Sequence, residues 1–142
     1  MKLWERVIER KMRKDISISE NQFSFMPGRS TTEAIYLLRR LMGLYRDRKM
    51  DLHLVFIDLE KAYDRVPRNL VWSCLEQKGV LSGYIRAIKD MCDGGRTRVR
   101  TPGGPTDDLC VDMGLHQGFA LSAFLFTIVI DELTKGIQDE LP

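Results

Sequence analysis

The strongest single constraint on this chain is the run from Leu52 to Leu59, LHLVFIDL. It is short, nearly continuous in apolar character and rich in Val, Ile and Phe, a pattern that predicts a strand buried on both faces. It carries a carboxylate, Asp58, at its end. An acid there is costly to bury unless it is paired or binds a metal, so Asp58 requires an explanation. Hard cations such as Mg²⁺ take carboxylate oxygens, and sites that handle phosphates commonly hold them with one or two carboxylates. The structural alternative is that Asp58 caps the following turn or pairs with Lys61 or Arg65. Asp64 presents the same choice and can cap the helix near Pro67.

Helical patterns flank this run. Leu3, Trp4, Val7, Ile8 and Met12 repeat at helical spacing, with Lys2, Arg6, Arg10, Arg13 and Lys14 between them, predicting a basic amphipathic helix. Residues 21–29, NQFSFMPGR, break the pattern, and Pro27-Gly28 marks a turn. Ser30 and Glu33 then satisfy a capping box, and Ala34, Ile35, Leu37, Leu38, Leu41, Met42 and Tyr45 supply the apolar stripe of a second helix. A third helix is expected to enter at Val66-Pro67 and stop at Gly79. A fourth, capped by Ser82, carries Ile85, Ile88, Met91 and Cys92 and ends at Gly94-Gly95.

The period then changes to two. Thr97, Val99 and Thr101 alternate with Arg96, Arg98 and Arg100, a P-G-G-P turn follows at 102–105, and Leu109 and Val111 alternate with Asp108, Cys110 and Asp112. This predicts a β-hairpin whose strands have one basic and one acidic face. Cross-strand pairing and phosphate contact are both open to the three arginines. After a turn at 114–118, Leu121, Phe124, Leu125, Ile128, Val129, Leu133 and Ile137 mark a final helix. The pattern as a whole is α+β, helix-rich with one buried strand and one hairpin.

Composition excludes the exotic classes. With 44% hydrophobic residues, 11 glycines and 5 prolines in 142 residues, the chain is neither collagen-like nor wholly disordered. Its three cysteines include no C-x-x-C pair, which suggests a reduced, intracellular setting without separating nucleus from cytoplasm. No secretory or membrane segment is expected. The net charge of +2 conceals an asymmetry: residues 1–100 hold 21 basic against 13 acidic side chains, and residues 101–142 hold one against seven. A basic front portion suits a polyanionic partner, although solvated helix faces account for much of the charge around Arg39 to Lys49.

Four segments together resemble one family. WERVIERKMR at 4–13, NQFSFMPGRSTTEAI at 21–35, FIDLEKAYDRVPR at 56–68 and GLHQGFALSAFLFTIVIDEL at 114–133 are similar to the reverse transcriptases of non-LTR, LINE-type retrotransposons, and more distantly to those of group II introns. The resemblance implies a partial right-hand polymerase, with fingers-type helices and loop at 1–50, the first palm motif at 51–81, a helix and hairpin at 82–113, and the Gln-Gly turn and palm helix at 114–142. It implies that Asp58 is the first catalytic aspartate, holding two Mg²⁺ or Mn²⁺ ions together with the backbone carbonyl of Leu59. Tyr63 falls where a ring packs under the incoming sugar and excludes a 2′-hydroxyl; without the family match it reads as a core aromatic. Gln117 and Gly118 match the pair that meets the incoming nucleotide. Arg29 matches a fingers position whose guanidinium meets triphosphate oxygens, on a turn supplied by Gly28. The implied partners are an RNA template, an RNA–DNA hybrid and a deoxynucleoside triphosphate, with no membrane.

The chain departs from the family pattern at Ser24, Phe119 and Ala123, where Gly, a small residue and Pro are usual. It also contains no aromatic-x-Asp-Asp segment, and Asp107-Asp108 lies on a different hairpin. The expectation is therefore a polymerase fragment cut inside the palm, inactive alone because Asp58 would hold the metals with too few other ligands. The competing reading is a degenerate, non-catalytic remnant whose basic portion still binds nucleic acid. A protein-interaction module is the third.

Overall fold

A computed structural model of the chain describes residues 2–93, 96–97, 100–105, 109–110, 113–115 and 121–139. The chain divides into two compact units, one formed by Met1–Ile18 with Lys61–Pro142, the other by Ser19–Glu60. Among the described residues no helix is long and apolar enough to cross a membrane.

The first unit is built from helices. α1 (Lys2–Asp15) sends Ile8 and Met12 into the core and leaves Leu3, Trp4 and Val7 exposed, so its inward face is narrower than the apolar spacing suggests. The short α3 (Ala62–Arg65) leads into α4 (Arg68–Gln77), for which Pro67 stands at the N-cap. The stop expected at Gly79 is a Schellman motif: Gly79 N–H donates to the Glu76 carbonyl at 3.0 Å and Val80 N–H to Leu75 at 3.0 Å. α5 (Ser82–Cys92) buries Ile85 and Ile88. Its N-cap is Leu81 and no side chain caps it, so Ser82 is the first helical residue and not the cap that was expected.

α6 (Ser122–Asp139) packs on α4 and is the centre of the core, burying Leu125, Phe124, Ile128 and Val129. Leu133 and Ile137, on the same predicted stripe, are exposed. Each large side chain withdrawn from water contributes about 1.5–3 kcal/mol, so the α1, α4, α5 and α6 cluster carries this unit. Its buried polar groups are paired. Lys78 Nζ bridges to Asp131 Oδ2 at 2.6 Å and donates to the Ser17 carbonyl at 3.3 Å, and Thr127 donates to the Ala123 carbonyl at 2.9 Å.

Between α5 and α6 lie two short antiparallel ladders. β1 (Arg96–Thr97) pairs with β4 (Leu109–Cys110), and β2 (Arg100–Thr101) pairs with β3 (Gly104–Pro105) around a turn at 102–103. A continuous hairpin with sorted basic and acidic faces is not shown, because residues 98–99, 106–108 and 111–112 and the ladder arginine side chains lie outside the described residues.

In the second unit, α2 (Thr31–Asp47) begins at Ser30, whose hydroxyl accepts the Glu33 N–H at 3.2 Å, as the sequence predicts. Its apolar stripe buries no residue. The strand predicted at 52–59 is absent: the segment has no regular structure, and Val55, Phe56 and Ile57 are 85%, 79% and 76% exposed. The reason lies in backbone hydrogen bonding. A helix satisfies its own N–H and C=O groups, whereas a strand needs a neighbour, and among the described residues none pairs with this one.

Candidate nucleotide-binding and catalytic site

Arg29, Asp58 and Leu59 belong to the 19–60 unit. Arg29 closes the turn that starts at Met26, with its N–H donating to the Met26 carbonyl at 3.2 Å. Proline at the second position and Gly28 at the third, with φ of +77°, are what a type II turn demands. The Arg29 guanidinium lies 5.1 Å from the centroid of the Phe23 ring, and its Nη1 donates to Glu33 Oε1 at 2.9 Å. Both side chains are about one-third exposed, and an i, i+4 pair of this kind contributes about 0.3–0.5 kcal/mol. The pair holds the guanidinium in place weakly enough for a stronger anion to displace it.

Asp58 and Leu59 are exposed, on the segment without regular structure. Among the described residues no group of three His, Cys, Asp or Glu side chains could hold a metal ion. A small divalent cation demands near-octahedral oxygen coordination, so Asp58 and one carbonyl do not by themselves fit such an ion.

Tyr63 is the best-defined of the expected site residues. Its ring stacks on Phe126 of α6, with centroids 4.6 Å apart and planes 27° from parallel. This geometry lies in the favourable range for aromatic pairs. Burial pushes its phenol above the ordinary tyrosine value. The Tyr63 main chain is also fixed, since its carbonyl accepts the Leu115 N–H at 2.8 Å and the Val66 carbonyl accepts the Gly114 N–H at 3.1 Å.

These two bonds join the FIDLEKAYDRVPR segment to the start of the GLHQG segment. Gly114 makes the approach possible. Its φ is +83°, and a Cβ there would stand 2.8 Å from the Asp64 carbonyl oxygen. Arg68, the first residue of α4, ties down the same place: Nε donates to the Gly114 carbonyl at 3.4 Å and Nη1 to the Cys92 carbonyl at 3.1 Å.

Gln117, Gly118 and Phe119 lie outside the described residues, as does Arg98. Arg96 and Arg100 take part in the ladders through their main chains, and their side chains are likewise not described. Ser24 is in an exposed turn and Ala123 is half-buried in α6. The sequence pattern did not single out Phe126, Gly114 or Arg68 for these roles. Gly114 was legible only as a turn residue, and nothing in the local pattern of Arg68 distinguishes it from the other arginines.

Residues 1–141 match the family of reverse transcriptases (RNA-dependent DNA polymerases). The chain is 26% identical over 138 residues to a retrovirus-related Pol polyprotein from the type-1 retrotransposable element R2 of Popillia japonica, covering 96% of this chain and 19% of that protein. It is 27% identical over 136 residues to a probable RNA-directed DNA polymerase from transposon BS of Drosophila melanogaster, covering 93% and 15%. It is 19% identical over 135 residues to the Pol polyprotein of the Drosophila melanogaster type-2 element R2DM, covering 95% and 13%. The chain thus spans about a fifth or less of the length of these relatives.

Proposed function

Because this chain belongs to the reverse transcriptase family, we propose that it forms the fingers and part of the palm of an RNA-directed DNA polymerase. The observation that carries the reading is the pair of backbone hydrogen bonds from Gly114 and Leu115 to Val66 and Tyr63. They join two segments about fifty residues apart, each resembling a motif of the family.

In this reading Tyr63, backed by Phe126, lies under the incoming sugar, and Gln117 with Gly118 meets the nucleotide. Arg29 exchanges the Glu33 carboxylate for the triphosphate, whose greater charge offers a guanidinium a stronger bidentate partner. Reverse transcriptases generally use divalent metal ions. Asp58 would offer one carboxylate toward Mg²⁺ or Mn²⁺ and Leu59 its carbonyl, other ligands being needed to complete the site, and the ion would stabilise the charge that develops on the transferring phosphoryl group. The 52–59 run becomes a strand once a neighbouring strand accepts its hydrogen bonds, which would cover the exposed Val55, Phe56 and Ile57. Arg96, Arg98 and Arg100 supply positive charge for the phosphates of the RNA template or the RNA–DNA hybrid.

Primer extension on an RNA template tests this reading. The longer polymerase is expected to incorporate deoxynucleotides in the presence of Mg²⁺, to lose synthesis in Asp58→Ala, and to show none from the 142-residue chain alone. Salt-dependent RNA binding by a longer protein that never extends a primer would favour the non-catalytic remnant.

A further inference from the structure

We infer that Arg68 is a positioning residue for Tyr63, acting through the peptide group between Gly114 and Leu115. That one peptide is held at both ends. Its carbonyl oxygen, on Gly114, accepts from Arg68 Nε at 3.4 Å, and its N–H, on Leu115, donates to the Tyr63 carbonyl at 2.8 Å. Hydrogen bonds on the two sides of an amide polarise each other, and together they set the orientation of its plane. Tyr63 therefore takes its main-chain position from a peptide that Arg68 orients.

The rest of the Arg68 side chain explains why this residue is an arginine. Its second bond, Nη1 to the Cys92 carbonyl at 3.1 Å, reaches the last residue of α5, where the helix dipole favours a cation. The planar fork of a guanidinium can hold two carbonyls at once, whereas the single ammonium of lysine sits on a flexible stem and has no such fixed geometry. Among the described residues Arg68 makes no ion pair with a carboxylate, so both of its hydrogen bonds serve the main chain. Gly114 fits the same arrangement, because any larger residue would push the peptide off the Asp64 carbonyl.

The inference rests on the reading of Tyr63 as the ring beneath the incoming sugar, and the experiment separates the two. In the full-length polymerase carrying this segment, incorporation of a deoxynucleotide and of the matching ribonucleotide is measured on an RNA template. Arg68→Lys is expected to reduce the preference for the deoxynucleotide about tenfold, as small displacements of a positioned group do. A residue that only supported the fold would lower both incorporations together and leave the ratio unchanged. In a Tyr63→Ala background, Arg68→Lys is expected to change the ratio no further.

An unaltered ratio in Arg68→Lys, or an equal change with and without Tyr63, overturns the inference while leaving Tyr63 as read. If Tyr63→Ala itself leaves the ratio unchanged, the reading of Tyr63 falls and the inference falls with it. Should Arg68→Lys fail to fold, Arg68→Gln, which keeps an amide donor, is measured in its place with the same criteria.

Discussion

Replacing Gly114 with alanine should be among the most damaging single-methyl changes in this chain. Gly114 has φ of +83°, in the left-handed region where a Cβ costs about 1–2 kcal/mol. That Cβ would also lie 2.8 Å from the Asp64 carbonyl oxygen and 3.0 Å from its carbonyl carbon and Cα. All three atoms are main chain, so the clash cannot be relieved by rotating a side chain away. Relief requires separating residues 63–66 from residues 114–115, which breaks or lengthens the Leu115 to Tyr63 and Gly114 to Val66 hydrogen bonds. Each such bond contributes about 0.5–1.5 kcal/mol net. Strain and lost bonds together give about 3 kcal/mol, equivalent to a fall in Tm of about 6–12 °C for a chain of this size.

Thermal and urea unfolding followed by helical circular dichroism measures the effect. Gly43→Ala and Gly136→Ala are the controls, because both glycines sit inside helices with nothing within 4 Å of an added Cβ. Each control should be stabilised by about 0.5–1 kcal/mol. A Gly114→Ala chain within 1 kcal/mol of the parent would refute the argument that this contact is tight and rigid.

Three further outcomes are expected. Asp131→Ala removes the nearer carboxylate of the Lys78 ammonium, which is 16% exposed beside a 4% exposed acid, and leaves Glu132 Oε2 at 3.6 Å as its remaining ion-pair partner, so it should cost about 2 kcal/mol in urea unfolding; Glu132→Ala on top of it should cost more than Glu132→Ala alone. Ser30→Ala removes the acceptor for the Glu33 N–H and should cost about 1 kcal/mol, read as fraying of α2 by hydrogen exchange at residues 31–34. Burial raises the Tyr63 phenol and the Cys74 and Cys92 thiols above their ordinary values. The folded state then holds protons that the unfolded chain releases first, so this stability is intact at neutral pH and declines as pH rises past about 9. A Tm that stays level or increases between pH 8 and pH 10.5 would contradict it.

The helices were legible because their signals are local. Ser30 three residues before Glu33 starts α2, Gly79 ends α4, and the spacing of Ile8 and Met12 or of Phe124, Leu125, Ile128 and Val129 marks faces that do enter the core. The same spacing overstated burial at Leu133 and Ile137 and throughout α2, because periodicity says which residues share a face and not whether another element covers it. The 52–59 run failed as a strand for a related reason. Its composition suits a sheet interior, but a strand exists only where another strand accepts its hydrogen bonds.

For the candidate site, sequence alone was enough to determine the family, since the order of four motifs is a property of the chain. The resemblance also implied nucleotide-binding roles for Arg29, Tyr63, Gln117 and Gly118. Only the tertiary structure decided that the Leu115 and Gly114 N–H groups dock on the Tyr63 and Val66 carbonyls, that Phe126 backs the tyrosine ring, and that Arg68 holds the Gly114 carbonyl. These contacts join residues 46 to 63 positions apart through backbone carbonyls and ring faces. Every residue type carries a carbonyl, so no local pattern of side chains could announce which ones would meet.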